Sequence, residues 1–444
     1  MKKLSLGAFA LLLGASSLLA APLPPPGYSA LYNGKNLEGW RGGSTFDHRA
    51  LLAMSEEDRA AKIAKWNEEL GSHWVVEGDE LVNDGKGSYL TTLKDYGDFE
   101  LHLEYKTVAT ADSGVYLRGV PQVQIWDPTQ ADDKGLGRAK GSGGLWNNPP
   151  GSPGRDPLVL ADKPFGEWNQ LRVVMVGARV SVWLNGKMTV DHAILENYYD
   201  RNSKDPALKA NPRPIPRLGP IQLQTHGAEI RWKNLFVREI EGTEANEILA
   251  EHGEGADWKP IFNGKDLTGW QGPVDQYEAR DGAIYCIKGK GGTLYTAEEF
   301  SDFKVRTEIQ IPPGGNNGFA LRYPGKGDTA YVGMCELQVL DDDAPRYAKL
   351  DARQYNGSVY GIVAAHRGYQ RPAGEWNFEE VTVQGSRIRV ELNGTVILDA
   401  DVSKVTEYMA NSPHPGKDRT SGYFGFAGHG DPVGFRAPRV LILK

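Results

Sequence analysis

The chain has 444 residues, 57 acidic against 50 basic, and a formal net charge of −7. No cluster of Lys or Arg stands out, so neither nucleic acid nor an anionic membrane surface is an expected partner. Beyond the extreme N-terminus, no apolar stretch approaches the ~20 residues needed to span a bilayer.

The chain opens with Lys2 and Lys3, an apolar run from Leu4 to Leu19, and Ala20-Ala21 before a Pro-rich LPPPG. This order predicts an export signal over residues 1–21 and a periplasmic or secreted product. No Cys follows the apolar run, which argues against a lipoprotein anchor.

LYNGKNLEGW at residues 31–40 then returns as IFNGKDLTGW at residues 261–270. YGDFELHLEY from Tyr96 answers SDFKVRTEIQ from Ser301, DSGVYLR from Asp112 answers NNGFALR from Asn316, and VQIWD from Val123 answers LQVLD from Leu337. PFGEWNQLRVVMVGARVSVWLNG from Pro164 answers PAGEWNFEEVTVQGSRIRVELNG from Pro372, and His226-Gly227 answers His429-Gly430. A period of roughly 200 residues is a domain length, too long for a solenoid unit. The expected organisation is a first copy over 22–240, a helix and linker over 241–257, and a second copy over 258–444.

Within each copy, short segments such as ELHLEYKTV, VSVWLNG and RIRVELNG alternate apolar and polar residues, the period of antiparallel strands. Asn185-Gly186 and Asn393-Gly394 fall where hairpin turns need positive φ. Many such strands in one domain favour a β-sandwich or jelly roll over an open sheet. One segment breaks the pattern: Ser55-Glu-Glu-Asp58 followed by RAAKIAKWNEEL predicts a surface helix over 55–70, found in the first copy alone. The first copy also carries long insertions at 128–163 and 197–218, whose Trp, Tyr and Arg suit walls around a site. Both cysteines, Cys286 and Cys335, belong to the second copy, where an oxidising compartment allows a disulfide and two buried strand thiols are the alternative.

The motifs LYNGKNLEGW, YGDFELHLEY, SGVYLRG, GEWNQ, the LNG hairpin and GPIQLQTHGAEIRWKNL together resemble the 3-keto-disaccharide hydrolase domain family, once per copy. The resemblance implies two tandem concanavalin/laminin-G-like β-sandwiches (jelly rolls), an all-β fold with a short helical insertion in the first. It also implies cleavage of glycosides already oxidised to a ketone at carbon 3, by hydrolysis or by elimination and hydration. That ketone acidifies the carbon-2 hydrogen, so the chemistry needs a base, a stabiliser for the enolate oxygen and an acid for the leaving group. Ordinary glycosidases instead place two carboxylates across the bond, and no such pair is common to both copies.

Strand parity puts Gln122, Gln124 and Trp126 on one face, Glu336 and Gln338 on the matching face, and Gln222, Gln224 and His226 on another. Expected catalytic residues are His226, Arg118, Asp127 and Gln124 in the first copy, and His429 and Glu336 in the second. Histidine serves as acid, base or metal ligand near neutral pH, and an arginine fork suits developing negative charge. Expected sugar-binding residues are Gln122, Trp126, Trp146, Tyr198, Gln222 and Gln224, with Arg322, Gln338, Asp341 and Tyr360 in the second copy. The first copy has Gln122 where the family usually shows Glu, and Tyr360 stands where the first copy has Trp146. The first copy, with its walls and polar strands, is the expected principal site. A divalent cation that polarises the ketone remains open, as do the sugar, the linkage and the oligomeric state. The competing readings are a lectin-like carbohydrate-binding protein and an interaction scaffold.

Overall fold

The structure is a computed structural model that describes residues 23–132, 134–253 and 257–443. The expected export signal lies outside these residues.

Alternation places Leu101, Leu103, Leu171, Val173 and Trp232 on the inner face of a large sheet, and Val115, Leu117, Val123, Ile125 and Leu223 on the inner face of a smaller one. Each buried aliphatic side chain removes enough apolar surface to contribute about 1.5–3 kcal/mol, so two such faces hold together only when stacked. The large sheet runs 187–194, 179–184, 169–176, 99–107, 230–239, 80–83, 74–77, with 29–30 also on 230–239; the small sheet runs 40–43, 89–92, 222–223, 112–117, 120–126. The second copy repeats both orders strand for strand, from 395–401 to 277–280 and from 270–271 to 335–340. The protein is thus two β-sandwiches in tandem. The Asn-Gly hairpins form as expected, with φ of 52° and 76° at Asn185 and Gly186, and 49° and 75° at Asn393 and Gly394.

The helix spans Glu56–Leu70, and the Ser55 hydroxyl caps it by accepting from the Asp58 amide. It is not a free surface helix. Trp66 and Leu70 are buried, and the Asn67 side chain accepts from the Gly42 amide of the edge strand 40–43. A Cβ at Gly42 would lie 2.3 Å from the Trp66 carbonyl oxygen, so the glycine is what lets the helix cover this edge. A second short helix, His48–Leu52, precedes it and was not expected.

Helix Gly242–Glu251 lies between the last strand of the first copy and the first of the second. Its Ala245 and Leu249 join Val174, Val176 and Ile240 of the first copy and Phe378 of the second in a small apolar cluster. Arg179 pairs with Glu391 through two hydrogen bonds across the same junction. Cys286 and Cys335 are both buried and unpaired. Among the described residues, no helix is long and apolar enough to cross a membrane.

Candidate active site

The outer face of each small sheet carries the polar residues, and strand register fixes their equivalence. Gly114 pairs with Gln124, and Gly318 with Gln338. Leu223 opposes Val115, and Phe426 opposes Phe319, which makes His226 and His429 equivalent. Asp112 therefore matches Asn316, Gln122 matches Glu336, and Gln124 matches Gln338. Gly114 and Gly318 are required here because a Cβ would lie 2.5 Å from Oε1 of Gln122 and 2.3 Å from Oε1 of Glu336.

In the first copy, His226 Nδ1 lies 3.2 Å from Asp112 Oδ2. Asp112 Oδ1 accepts from Gln124 Nε2 at 2.9 Å, and Gln124 Oε1 accepts from Gln122 Nε2 at 2.6 Å. Gln222 donates to the Thr91 hydroxyl and Gln224 to Tyr89. The side-chain carbonyls of Gln122, Gln222 and Gln224 are buried and accept nothing from the protein. Trp126 and Trp146 pack edge to face at 5.9 Å and are fixed by hydrogen bonds to the carbonyls of Gly141 and Leu136. Arg138 and Arg155 stack on these two rings. Tyr198 begins a one-turn helix and packs on Tyr199, whose hydroxyl donates to the Gly119 carbonyl.

In the second copy, His429 Nε2 lies 3.1 Å from Glu336 Oε1, and Gln338 Nε2 donates to Asn316 Oδ1 at 2.7 Å. This face has lost bulk: by register, Gly425, Ala427 and Ala320 replace Gln222, Gln224 and Tyr116. It opens into a cavity of about 340 Å³ lined by Asn316, Asp328, Tyr331, Glu336, Gln338, Tyr347, Gln354, Tyr360 and His429, among others. Tyr360 does occupy the Trp146 position, and its hydroxyl accepts from Gln354 Nε2. The polar face of the second copy thus borders a cavity of its own.

Both histidines are pushed above the ordinary imidazole value. For His226 the hydrogen bond to Asp112 outweighs burial and the nearby Arg138; for His429 the hydrogen bond to Glu336 outweighs burial, with Asp328 and Asp431 adding to it. Each carboxylate strengthens the imidazole as a base and stabilises the imidazolium it becomes.

Four expected residues lie elsewhere. Arg118 is 1% exposed; its Nε donates to the Gly97 carbonyl, one terminal nitrogen to Pro216 and the other to Asp98. Arg322 repeats this with Ser301, Gly385, Arg419 and Asp302. Both sit at positive φ, 54° and 47°, and their forks tie a turn to the start of a large-sheet strand. They have no fork left for an enolate, so the role expected of Arg118 is corrected to a structural one. Asp127 accepts from the amides of Thr110 and Thr129, and Asp341 from those of Gly314 and Asp343, so both carboxylates hold their own loops.

Sequence reasoning missed Asp112, although it lies in the quoted DSGVYLR anchor. The Asp/Asn difference at 112 and 316 was visible, but nothing in one strand shows that its end meets a histidine from another. Tyr331 was missed because its short helix joins two strands that a tight turn joins in the first copy, and Tyr347 and Gln354 because their loop carries no repeated motif. Among the described residues, no three His, Cys, Asp or Glu side chains gather to hold a metal ion.

Fold and site together define a tandem β-sandwich protein with one histidine–carboxylate pair on the polar face of each copy. A family model described as the 3-keto-alpha-glucoside-1,2-lyase-like domain matches residues 27–238 and again 257–441, and the chain belongs to that family. A 3-keto-disaccharide hydrolase of Bacteroides thetaiotaomicron is 27% identical over 227 residues, 41% of this chain and 77% of that protein. Among solved structures, a candidate glycosyl hydrolase of Parabacteroides distasonis is 24% identical, covering 42% of this chain and 100% of its own, with a TM-score of 0.39. The carbohydrate-binding module CBM66 of Bacillus subtilis is 12% identical over 41% of this chain and 94% of its own, with a TM-score of 0.24.

Proposed function

We propose that this is an exported enzyme that cleaves glycosides bearing a ketone at carbon 3, by elimination through a carbon-2 enolate followed by hydration. The observation that carries the reading is the His429–Glu336 pair, 3.1 Å apart, lining a cavity of about 340 Å³ whose other walls include the phenols of Tyr331, Tyr347 and Tyr360 and the amides of Asn316, Gln338 and Gln354. Neutral His429 takes the carbon-2 proton, and Glu336 holds the imidazolium that results. The electron pair moves onto the ketone oxygen, where amide donors such as Gln354 and Asn316 are suited to receive it. Collapse of the enolate expels the glycosidic oxygen from carbon 1, which leaves as an alcohol with a proton from the imidazolium or a wall phenol. Water then adds to the carbon 1–carbon 2 double bond and yields the free 3-keto sugar.

An unoxidised glycoside has no acidic carbon-2 hydrogen, and no carboxylate pair is common to both copies to offer the ordinary route. In the second cavity, Asp328 already caps helix Thr329–Val332 by accepting from the Ala330 amide. The test is product analysis with a 3-keto disaccharide and its unoxidised parent in deuterated water. Cleavage of the keto substrate alone, with deuterium at carbon 2, is expected. Equal cleavage of both substrates refutes the mechanism, and binding without cleavage makes the protein a lectin.

A further inference from the structure

We infer that Asp112 is the positioning residue of His226, and that the first copy has moved its carboxylate one strand over from the place Glu336 holds in the second. The inference rests on the proposed reading of both histidines as reactive bases. The register-equivalent positions hold Asp112 and Gln122 in one copy, and Asn316 and Glu336 in the other. Each copy thus has one carboxylate and one carboxamide at these two places, with the order reversed. Each carboxylate lies against its histidine, at 3.2 Å and 3.1 Å.

Two features of the surroundings are shared. The strand glutamine behind the site, Gln124 or Gln338, donates to the Asx oxygen whether that residue is Asp or Asn, at 2.9 and 2.7 Å. The missing side chain of Gly114 leaves Gln122 the space that the missing side chain of Gly318 leaves Glu336. Gln122 Oε1 is buried, accepts nothing from the protein and belongs to a residue 5% exposed, as Glu336 is. A carboxylate at 122 has the space it needs, and it fits once the Gln124 amide, whose oxygen now accepts from Gln122 Nε2 at 2.6 Å, turns its nitrogen toward it. Losing the glutamate alone would have left His226 without a charge partner, and Asp112 replaces that partner from the neighbouring strand.

The test follows the His226 ring resonance by NMR against pH in the full chain carrying Asp112→Asn, Gln122→Glu, or both. Asp112→Asn should lower the His226 titration midpoint, the direction of a lost carboxylate partner, and adding Gln122→Glu should restore it. An unmoved midpoint in Asp112→Asn overturns the pairing, and failure of Gln122→Glu to restore it overturns the exchange. Should Asp112→Asn not fold, the same comparison applies to His429 in Glu336→Gln with and without Asn316→Asp, with the same two outcomes. Activity on a 3-keto glycoside, measured in a His429→Ala background, should fall and recover in parallel. The titrations need no substrate, so expected shifts without any cleavage would keep the pairing and remove the enzymatic reading.

Discussion

Gly318 and Glu336 lie on adjacent strands so close that a Cβ on the glycine would sit 2.3 Å from the glutamate Oε1. The glycine has ordinary strand φ, so it is needed for space, not for conformation. Gly318→Ala should displace the carboxylate from His429 and lower turnover by ~100-fold, with about 1–3 kcal/mol lost to overpacking. Kinetics and thermal melting check this; full turnover in a folded variant would show that the Glu336 position is not critical.

His429→Ala should lower kcat by ~100-fold or more with a smaller effect on sugar affinity, the pattern of a lost general base. His226→Ala should cost less in total turnover, because the open cavity lies in the second copy. Loss of all turnover in His226→Ala alone would return the chemistry to the first copy.

The pH profile follows from the direction of the histidine shift. Glu336 holds His429 above its ordinary value of 6.5, and only the neutral ring is a base, so kcat/KM should fall as pH drops through a midpoint above 6.5. Glu336→Gln should move that limb to lower pH while reducing the plateau. For stability the sign is opposite: a raised histidine stabilises the fold below its unfolded value, and this is lost as pH rises through the folded value. An acid limb unchanged by Glu336→Gln would separate the glutamate from the base.

Arg118→Lys should damage the fold and leave the chemistry intact. The lysine keeps the charge but cannot reach Gly97, Pro216 and Asp98 together, so a loss of about 3 kcal/mol is expected in denaturant melts. A normal melting curve with impaired kcat would reinstate Arg118 as a substrate contact.

Glu379 is fully buried with neither oxygen hydrogen-bonded, and burial pushes its carboxyl up to about 8. It opposes Thr307 where the first copy pairs Leu171 with Leu103. Because the folded value exceeds the ordinary 4.5, stability should fall as pH rises from about 4.5 to 8. Glu379→Leu should remove that slope and stabilise the protein at neutral pH by about 2 kcal/mol or more. Destabilisation by this substitution would mean that the carboxyl has a function in the core.

The tandem repeat was legible in the sequence because its phrases recur in one order, and the strand alternation, the Asn-Gly hairpins and the capped helix at Ser55 because each depends on residues a few positions apart. So were the glutamine face and the two histidines, since parity alone decides which strand residues share a side. Sequence could not decide what those residues meet. Arg118 follows an alternating strand just as a surface arginine would, yet a positive φ at the turn swings it into the molecule. Asp112 and His226 are over a hundred residues apart and become partners only because strands 112–117 and 222–223 are neighbours in the small sheet. The same is true of the cavity, which is lined by Asn316, Glu336, Gln338, Tyr360 and His429 from separate strands and loops: each is unremarkable singly, and only the tertiary structure gathers them around room for a ligand.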